Sequence, residues 1–189
     1  MNSYLKTLSL SAVFIMLFAG NLLAQTKVVL SPGSELKVEG GSTLHDWHMA
    51  TSSAKGEGVF TIEGGQFKGA SSLVLSFVAE TLKSGTSGLD KNAYKSLKTE
   101  QYKDIKFTLK SLSGSGTSFT ATGDLSIAGA TKSVSFPVKL SGTAGKYHFE
   151  GSLKTKLTFF NITPPTALMG TVKTDDEITL SFKTTFQSL

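Results

Sequence analysis

The 189-residue chain contains no cysteine and no arginine, and it has only four prolines and one tryptophan. Without cysteine there is no disulfide framework, no thiol nucleophile and no sulfur ligand for a metal. Without arginine the chain lacks the planar fork that grips phosphates and base edges. All 19 basic residues are lysines scattered along the chain, and the formal net charge of +5 with a pI near 9.3 reads as a soluble basic surface. Such a surface allows weak, transient contact with an anionic membrane but does not mark a nucleic-acid interface. Charge itself is scarce, at 17% of residues, and 25 serines and 23 threonines stand where surface charge is usual.

One long apolar run is present, and it comes first. Lys6 precedes the stretch Leu8 to Leu23, which ends in Ala24 before Gln25. A charged start, an apolar middle and a small residue at the cut form a secretory signal peptide. Ser9, Ser11 and Asn21 interrupt the run, which is short for a membrane span of ~20 residues, and no cysteine follows to carry a lipid. Residues 1–24 are therefore read as an export signal and residues 25–189 as one domain, large enough for its own core.

In that domain the period is two. Ile105, Phe107 and Leu109 alternate with lysine and threonine; Phe119, Ala121, Gly123, Leu125 and Ile127 do the same, and so do Val134, Phe136, Val138 and Leu140. Side chains on a strand point to opposite faces in turn, so each stretch has one dry and one wet face. Short glycine-containing links make antiparallel hairpins of them. The same alternation runs through Leu36 and Val38, through Phe60 and Ile62, and from Leu73 through Leu75 and Phe77 to Ala79. It returns from Tyr147 to Leu157 and from Ile178 to Phe186. Val74 and Val78 fall on the wet face, which implies partial cover there. About eight antiparallel strands result.

The period changes once. After the loop Ser84 to Gly88, Asp90 is placed to cap a short helix running to about Lys98, with Leu89, Ala93, Tyr94 and Leu97 near one face. One short amphipathic helix beside a long sheet reads as a lid or plug.

Eight strands with one dry face form a sandwich or close into a barrel. Phe60, Phe77, Phe107, Phe119, Phe136, Phe149 and Phe182 share the apolar parity of their strands. They either fill a core or line a tube for an elongated apolar guest. Catalysis finds little support. His45 and His48 lie three apart, on opposite faces of a strand, Asp46 faces away from His45, and no Gly-x-Ser-x-Gly elbow occurs. No metal site, cofactor or phosphate loop is expected.

Several spaced motifs carry a resemblance. The run Leu82 to Lys95, followed by Tyr102 to Phe107, is similar to the helix-and-strand signature of the YceI-like proteins. Gly123 to Lys132 resembles that family's GDLTI-GVTK strand and turn, Phe160-Asn161-Ile162 and Asp176 to Leu180 resemble its late motifs, and His45-Asp46-Trp47 is similar to an HDW-containing subgroup. The resemblance covers essentially the whole chain after the export signal. It implies an extended eight-stranded antiparallel lipocalin-like barrel whose tubular pore holds a long isoprenoid, quinone or fatty-acid-like lipid, and a periplasmic location. The family's arginine and histidine around the helix are replaced by Leu89 and by Asn92 or Ala93.

The residues expected to meet such a guest are Trp47, Met49, Phe60, Phe77, Phe107, Phe119, Phe136, Phe149 and Phe182 in the wall. Tyr94, Leu97 and Leu168 are expected near an opening, and His45 near a head group. The alternative is a filled barrel serving as a protein-interaction or stress-related module. A homodimer through an edge or rim strand is left open.

Overall fold

The computed structural model describes residues 24–142 and 145–189, so the expected export signal lies outside the described residues except for Ala24. The side chain of Leu168 also lies outside them.

Among the described residues eleven strands and one α-helix follow in order: β1 (Ala24–Leu30), β2 (Glu35–Ser42), β3 (Trp47–Thr51), β4 (Lys55–Glu63), β5 (Gln66–Val78), α1 (Ser87–Leu97), β6 (Asp104–Ser115), β7 (Ser118–Ile127), β8 (Ala130–Ser141), β9 (Lys146–Lys156), the two-residue β10 (Thr166–Ala167) and β11 (Val172–Ser188). The ladder runs β1-β4-β5-β6-β7-β8-β9-β11, and β11 pairs back onto β1, closing an eight-stranded antiparallel barrel. The other strands extend its wall. Phe186 of β11 faces Leu30 of β1, while Phe182 faces Leu36 and Thr174 faces Ser42 of β2. Thus β1 and β2 form one long broken strand along a single edge of β11. β3 descends beside β2, β4 descends beside β1, and a bridge from Ala50 to Lys83 joins β3 to the segment beyond β5.

The break between β1 and β2 falls at Ser31 to Ser34. There Ser31 N–H donates to the Thr185 carbonyl (2.7 Å), and the Ser34 hydroxyl accepts the Thr185 N–H (3.1 Å). A side-chain oxygen thus replaces one backbone rung, and the ladder survives the kink.

Two hairpins are fixed by left-handed backbone. Gly64 and Gly65 (φ +56 and +77) link β4 to β5, and Ala128 and Gly129 (φ +49 and +82) link β7 to β8. Two positive angles in a two-residue loop match the right-handed twist of the strands they join. In β6 the pairing slips between Leu109 and Ser111, so Leu112 rather than Ser111 continues the inward row. Pairing is incomplete at two seams. β5 meets β6 only from Val74 to Val78, and β8 meets β9 only from Val138 to Ser141.

The helix begins one residue after Thr86, not at Asp90. Asp90 lies inside the first turn, where its carboxylate accepts the Ser84 N–H (2.9 Å) and hydroxyl (2.7 Å), tying the helix to the loop before it. Those bonds, chiefly the hydroxyl's, hold the Asp90 carboxyl below the ordinary carboxylate range. Lys98 closes the helix in the left-handed region (φ +53), and its N–H returns to Lys95 and Tyr94. The cover expected over Val78 is not there: it is 47% exposed, because the chain turns under it through Ala79 instead.

Two outcomes are expected. A methyl group at Gly123 would stand 2.5 Å from the Phe107 ring and nearer still to the Thr108 carbonyl. Gly123→Ala should therefore lower unfolding free energy by about 1–3 kcal/mol, the usual cost of overpacking, in urea titration. Asp90 contributes stability that is present above about pH 4, the ordinary carboxylate value, and is lost as pH falls through its lowered folded value. The stability gap between wild type and Asp90→Asn should accordingly be widest near neutrality and close in acid, as read by thermal melts across pH.

Candidate functional site

The inward parity of eight strands puts carbon on the inside of the barrel from end to end. The two ends differ. At the lower end Phe60 is completely buried and meets Phe67 (centroids 5.0 Å apart), Phe149 (5.6 Å) and Tyr147 (6.0 Å) edge-on, with Phe186 tilted against it at 5.6 Å. Phe67 in turn meets Phe119 at 5.3 Å. Aromatic quadrupoles favour such edge-to-face contacts, and the cluster closes this end.

Halfway up, three rings from three strands meet across the lumen: Phe107 to Phe136 at 5.4 Å and Phe136 to Phe182 at 5.7 Å. Two inward glycines make room for them. A methyl at Gly123 would strike Phe107, and one at Gly151 would stand 2.7 Å from Phe182. Each ring therefore lies against bare backbone of the next strand, and the tube stays open past the girdle.

What remains is a cavity of about 890 Å³. It runs from the aromatic floor, past the girdle, to the end that carries α1. There Leu89, Ala93 and Leu97 of the helix line it from one side. Ser42, Leu44 and His45 line it from a second side, and Pro165 to Ala167 with Val172 from a third. The second and third sides are joined, because Thr43 N–H donates to the Lys173 carbonyl (3.0 Å) and the Thr43 hydroxyl accepts the Lys173 N–H (3.1 Å).

The tight turn at 43–46 explains the position of His45. The Ser42 hydroxyl accepts the N–H groups of Leu44 and His45 (3.2 Å each) and donates to the His45 carbonyl (2.7 Å). The segment is thus a turn and not the strand that alternation suggested; β3 begins only at Trp47. The His45 ring donates through Nδ1 to the Asp46 carbonyl (2.7 Å) and borders the cavity at its mouth. Trp47 donates through Nε1 to the Gly41 carbonyl (3.0 Å), which satisfies its one polar group and leaves the ring as apolar wall.

Of the thirteen expected guest-contact residues, ten line the cavity: His45, Trp47, Met49, Phe60, Phe77, Leu97, Phe107, Phe136, Phe149 and Phe182. Two sit elsewhere. Phe119 is packed into the floor behind Phe67. The Tyr94 hydroxyl accepts from Lys83 Nζ (2.7 Å) and is directed at the carbonyls of Leu82 (2.7 Å) and Glu80 (2.9 Å), so it straps the helix to the barrel. Leu168 falls outside the described side chains.

The sequence reading named neither Phe67 nor Phe160 as a wall residue, yet both line the cavity. Phe67 follows the Gly64-Gly65 turn, and two register slips between β4 and β5 hide its parity. The two-residue glycine loop was the available signal, since it starts a strand at once. Phe160 lies in a turn of 3-10 helix (Thr158–Phe160) that has no period to read, yet it is almost wholly buried. That turn is pinned by Asp176, whose carboxylate accepts the Thr158 N–H (2.9 Å) and hydroxyl (2.7 Å) and is held below the usual carboxylate range by them. Asp176 is therefore engaged within β11.

Among the described residues no three histidine, aspartate or glutamate side chains converge on one point. Polar residues at the mouth are Ser42, His45, Thr86, Lys91, Asn92, Ser96, Thr166 and Thr174, with one lysine of the helix among them.

Comparison with known proteins agrees with this geometry. No curated protein sequence matches the chain. The barrel is similar to the crystal structure of BcnA from Burkholderia cenocepacia (TM-score 0.67, 16% identity, covering 80% of this chain and 95% of that one). It is also similar to a polyisoprenoid binding domain from Saccharophagus degradans implicated in plant cell wall breakdown (TM-score 0.65, 9% identity, 88% and 100% covered). A third likeness is to the YceI protein of Campylobacter jejuni (TM-score 0.57, 20% identity, 71% and 81% covered). At these identities the likeness establishes the fold. Membership rests on the sequence itself: the family model for the YceI-like domain matches residues 34–186, from the kink before β2 to the last inward ring of β11, and the chain belongs to that family.

Proposed function

We propose that this protein is an exported, non-enzymatic carrier that holds one long apolar molecule in its barrel, for transport, storage or sequestration. The observation that carries the reading is the carbon-lined cavity of about 890 Å³, blind at the floor and open beside α1. At ~30 Å³ per non-hydrogen group, the share of a water molecule in the liquid, it holds roughly 30 groups. Association costs ~4–15 kcal/mol and each buried methylene returns ~0.8, so roughly 5–20 methylenes are needed before binding is favourable. Short guests fall below that threshold, and isoprenoid, quinone or fatty-acid-like chains exceed it. The Saccharophagus relative is a polyisoprenoid binding domain, which supports the same class. Export is part of the proposal and rests on the residue pattern of positions 1–24, while the periplasm as destination rests on the family resemblance.

The mouth favours a head group of low charge. Lys91 and His45 are the basic side chains at the lining of the open end, and the chain has no arginine to clamp a diphosphate. A quinone, alcohol or single carboxylate matches these isolated donors and acceptors better.

Organic extraction of protein purified from its native host, followed by mass spectrometry, should yield a stoichiometric long-chain lipid with such a head. Repeated empty preparations that also show no quenching of Trp47 by added quinones or isoprenoids would instead support a module with no guest. Phe107→Asp places a carboxylate on the girdle and should abolish uptake of the extracted lipid while circular dichroism stays that of a folded sheet. Undiminished uptake by this variant would locate the guest outside the barrel.

A further inference from the structure

The upper seam between β8 and β9 opens at Pro137. Leu140 N–H donates to the Thr117 carbonyl beside β7 (2.9 Å), so even-numbered residues of β8 turn their backbone groups toward β7 and odd-numbered ones toward β9. Pro137 is odd-numbered. Its carbonyl points at Gly151 of β9, and it has no N–H to offer on that side. The β8–β9 ladder ends at the Val138–Gly151 pair, and from Ala130 to Pro137 no β8 residue pairs with β9. The other seam, between lower β5 and β6, is backed by the rings of Phe67 and Phe119, which meet edge to face.

Among the described residues a short turn fills the upper seam. Phe160 and Ile162 are buried there against the upper core, which includes Val134 and Ile127. The turn is bonded mainly to itself: Phe160 and Ile162 N–H both return to the Leu157 carbonyl, and Asn161 N–H returns to Thr158. Leu157 N–H and the Thr158 groups join it to Asp176 at the rim. On the outside, Phe159 is exposed with Lys132 Nζ of β8 5.3 Å from its ring centre. A shallow outer groove runs between Ser133 and Lys156, and Leu153 lines both this groove and the central cavity.

We propose that this seam is a side entrance to the cavity for the apolar tail of the guest, shut by the 157–162 turn. The inference rests on the carrier reading. What lies behind the turn is Leu153, Phe136 and Val134, so the opening would expose carbon and suits a hydrocarbon chain. An added peptide strand would need the bare β8 edge, which the turn covers.

The absence of native cysteine makes the test clean. Lys132→Cys with Phe159→Cys, oxidised, fastens the turn to β8. Stopped-flow transfer of cis-parinaric acid from phosphatidylcholine vesicles should slow roughly tenfold relative to the reduced protein. Reductant should restore the rate, and final occupancy should be the same in both forms. Equal rates, with normal occupancy, would overturn the side entrance and leave the carrier intact. No uptake by either form would remove the carrier reading and the entrance with it. Amide exchange gives a second check on the unmodified protein. The Ile162 amide should exchange well before the β9–β11 ladder, and equal protection would overturn the proposal whatever the cross-link shows.

Discussion

Both edges of β11 are occupied along most of its length, and one edge is used by two different strands in succession. That double use is the constraint on which the barrel depends. A sheet with this much apolar surface on one side has to close, or it leaves a row of unpaired backbone groups as an invitation to other chains. Closure is achieved by laying β1 and β2 end to end on β11, with Ser34 supplying the oxygen that bridges the kink. The inward parity of every other strand follows from this register, since a slip of one residue would turn the phenylalanines to water.

Within the closed wall, ring size is balanced by glycine. Phe107 and Phe182 are too large to stand freely in the lumen, and Gly123 and Gly151 let them lie flat on the neighbouring strand. The interior is thus crowded at mid-height but not filled. The floor uses the same residue type to the opposite end: Phe67, Tyr147 and Phe149 pack edge to face around Phe60, with Phe186 tilted against it and Phe119 behind Phe67. One composition serves as wall in one half and as plug in the other.

The strands were legible because alternation is local. Val134, Phe136, Val138 and Leu140 declare their face without reference to any other part of the chain. The helix was legible from its change of period, although its anchor was misassigned: Asp90 binds backward to Ser84 instead of capping, which a spacing rule does not separate from a cap. Phe67 was hidden by register slips and Phe160 by the lack of any period. Pro32-Gly33 marks a turn after β1, but that β1 and β2 then share one edge of β11 depends on partners far away in sequence. His45 was found for the wrong local structure; it reaches the mouth because Ser42 knits a turn, not because a strand points it there.

The aromatic floor has a mechanical consequence. A chamber stopped at its base behaves like a syringe barrel: liquid displaced by an advancing chain must flow back past it through the same bore. Rings at half height narrow that bore, so filling is resisted by drainage as well as by fit. A vent above the constriction would relieve only the upper part of the column. The depth to which a molecule sinks, and the time it takes to settle, are then set by how readily the space beneath Phe136 empties.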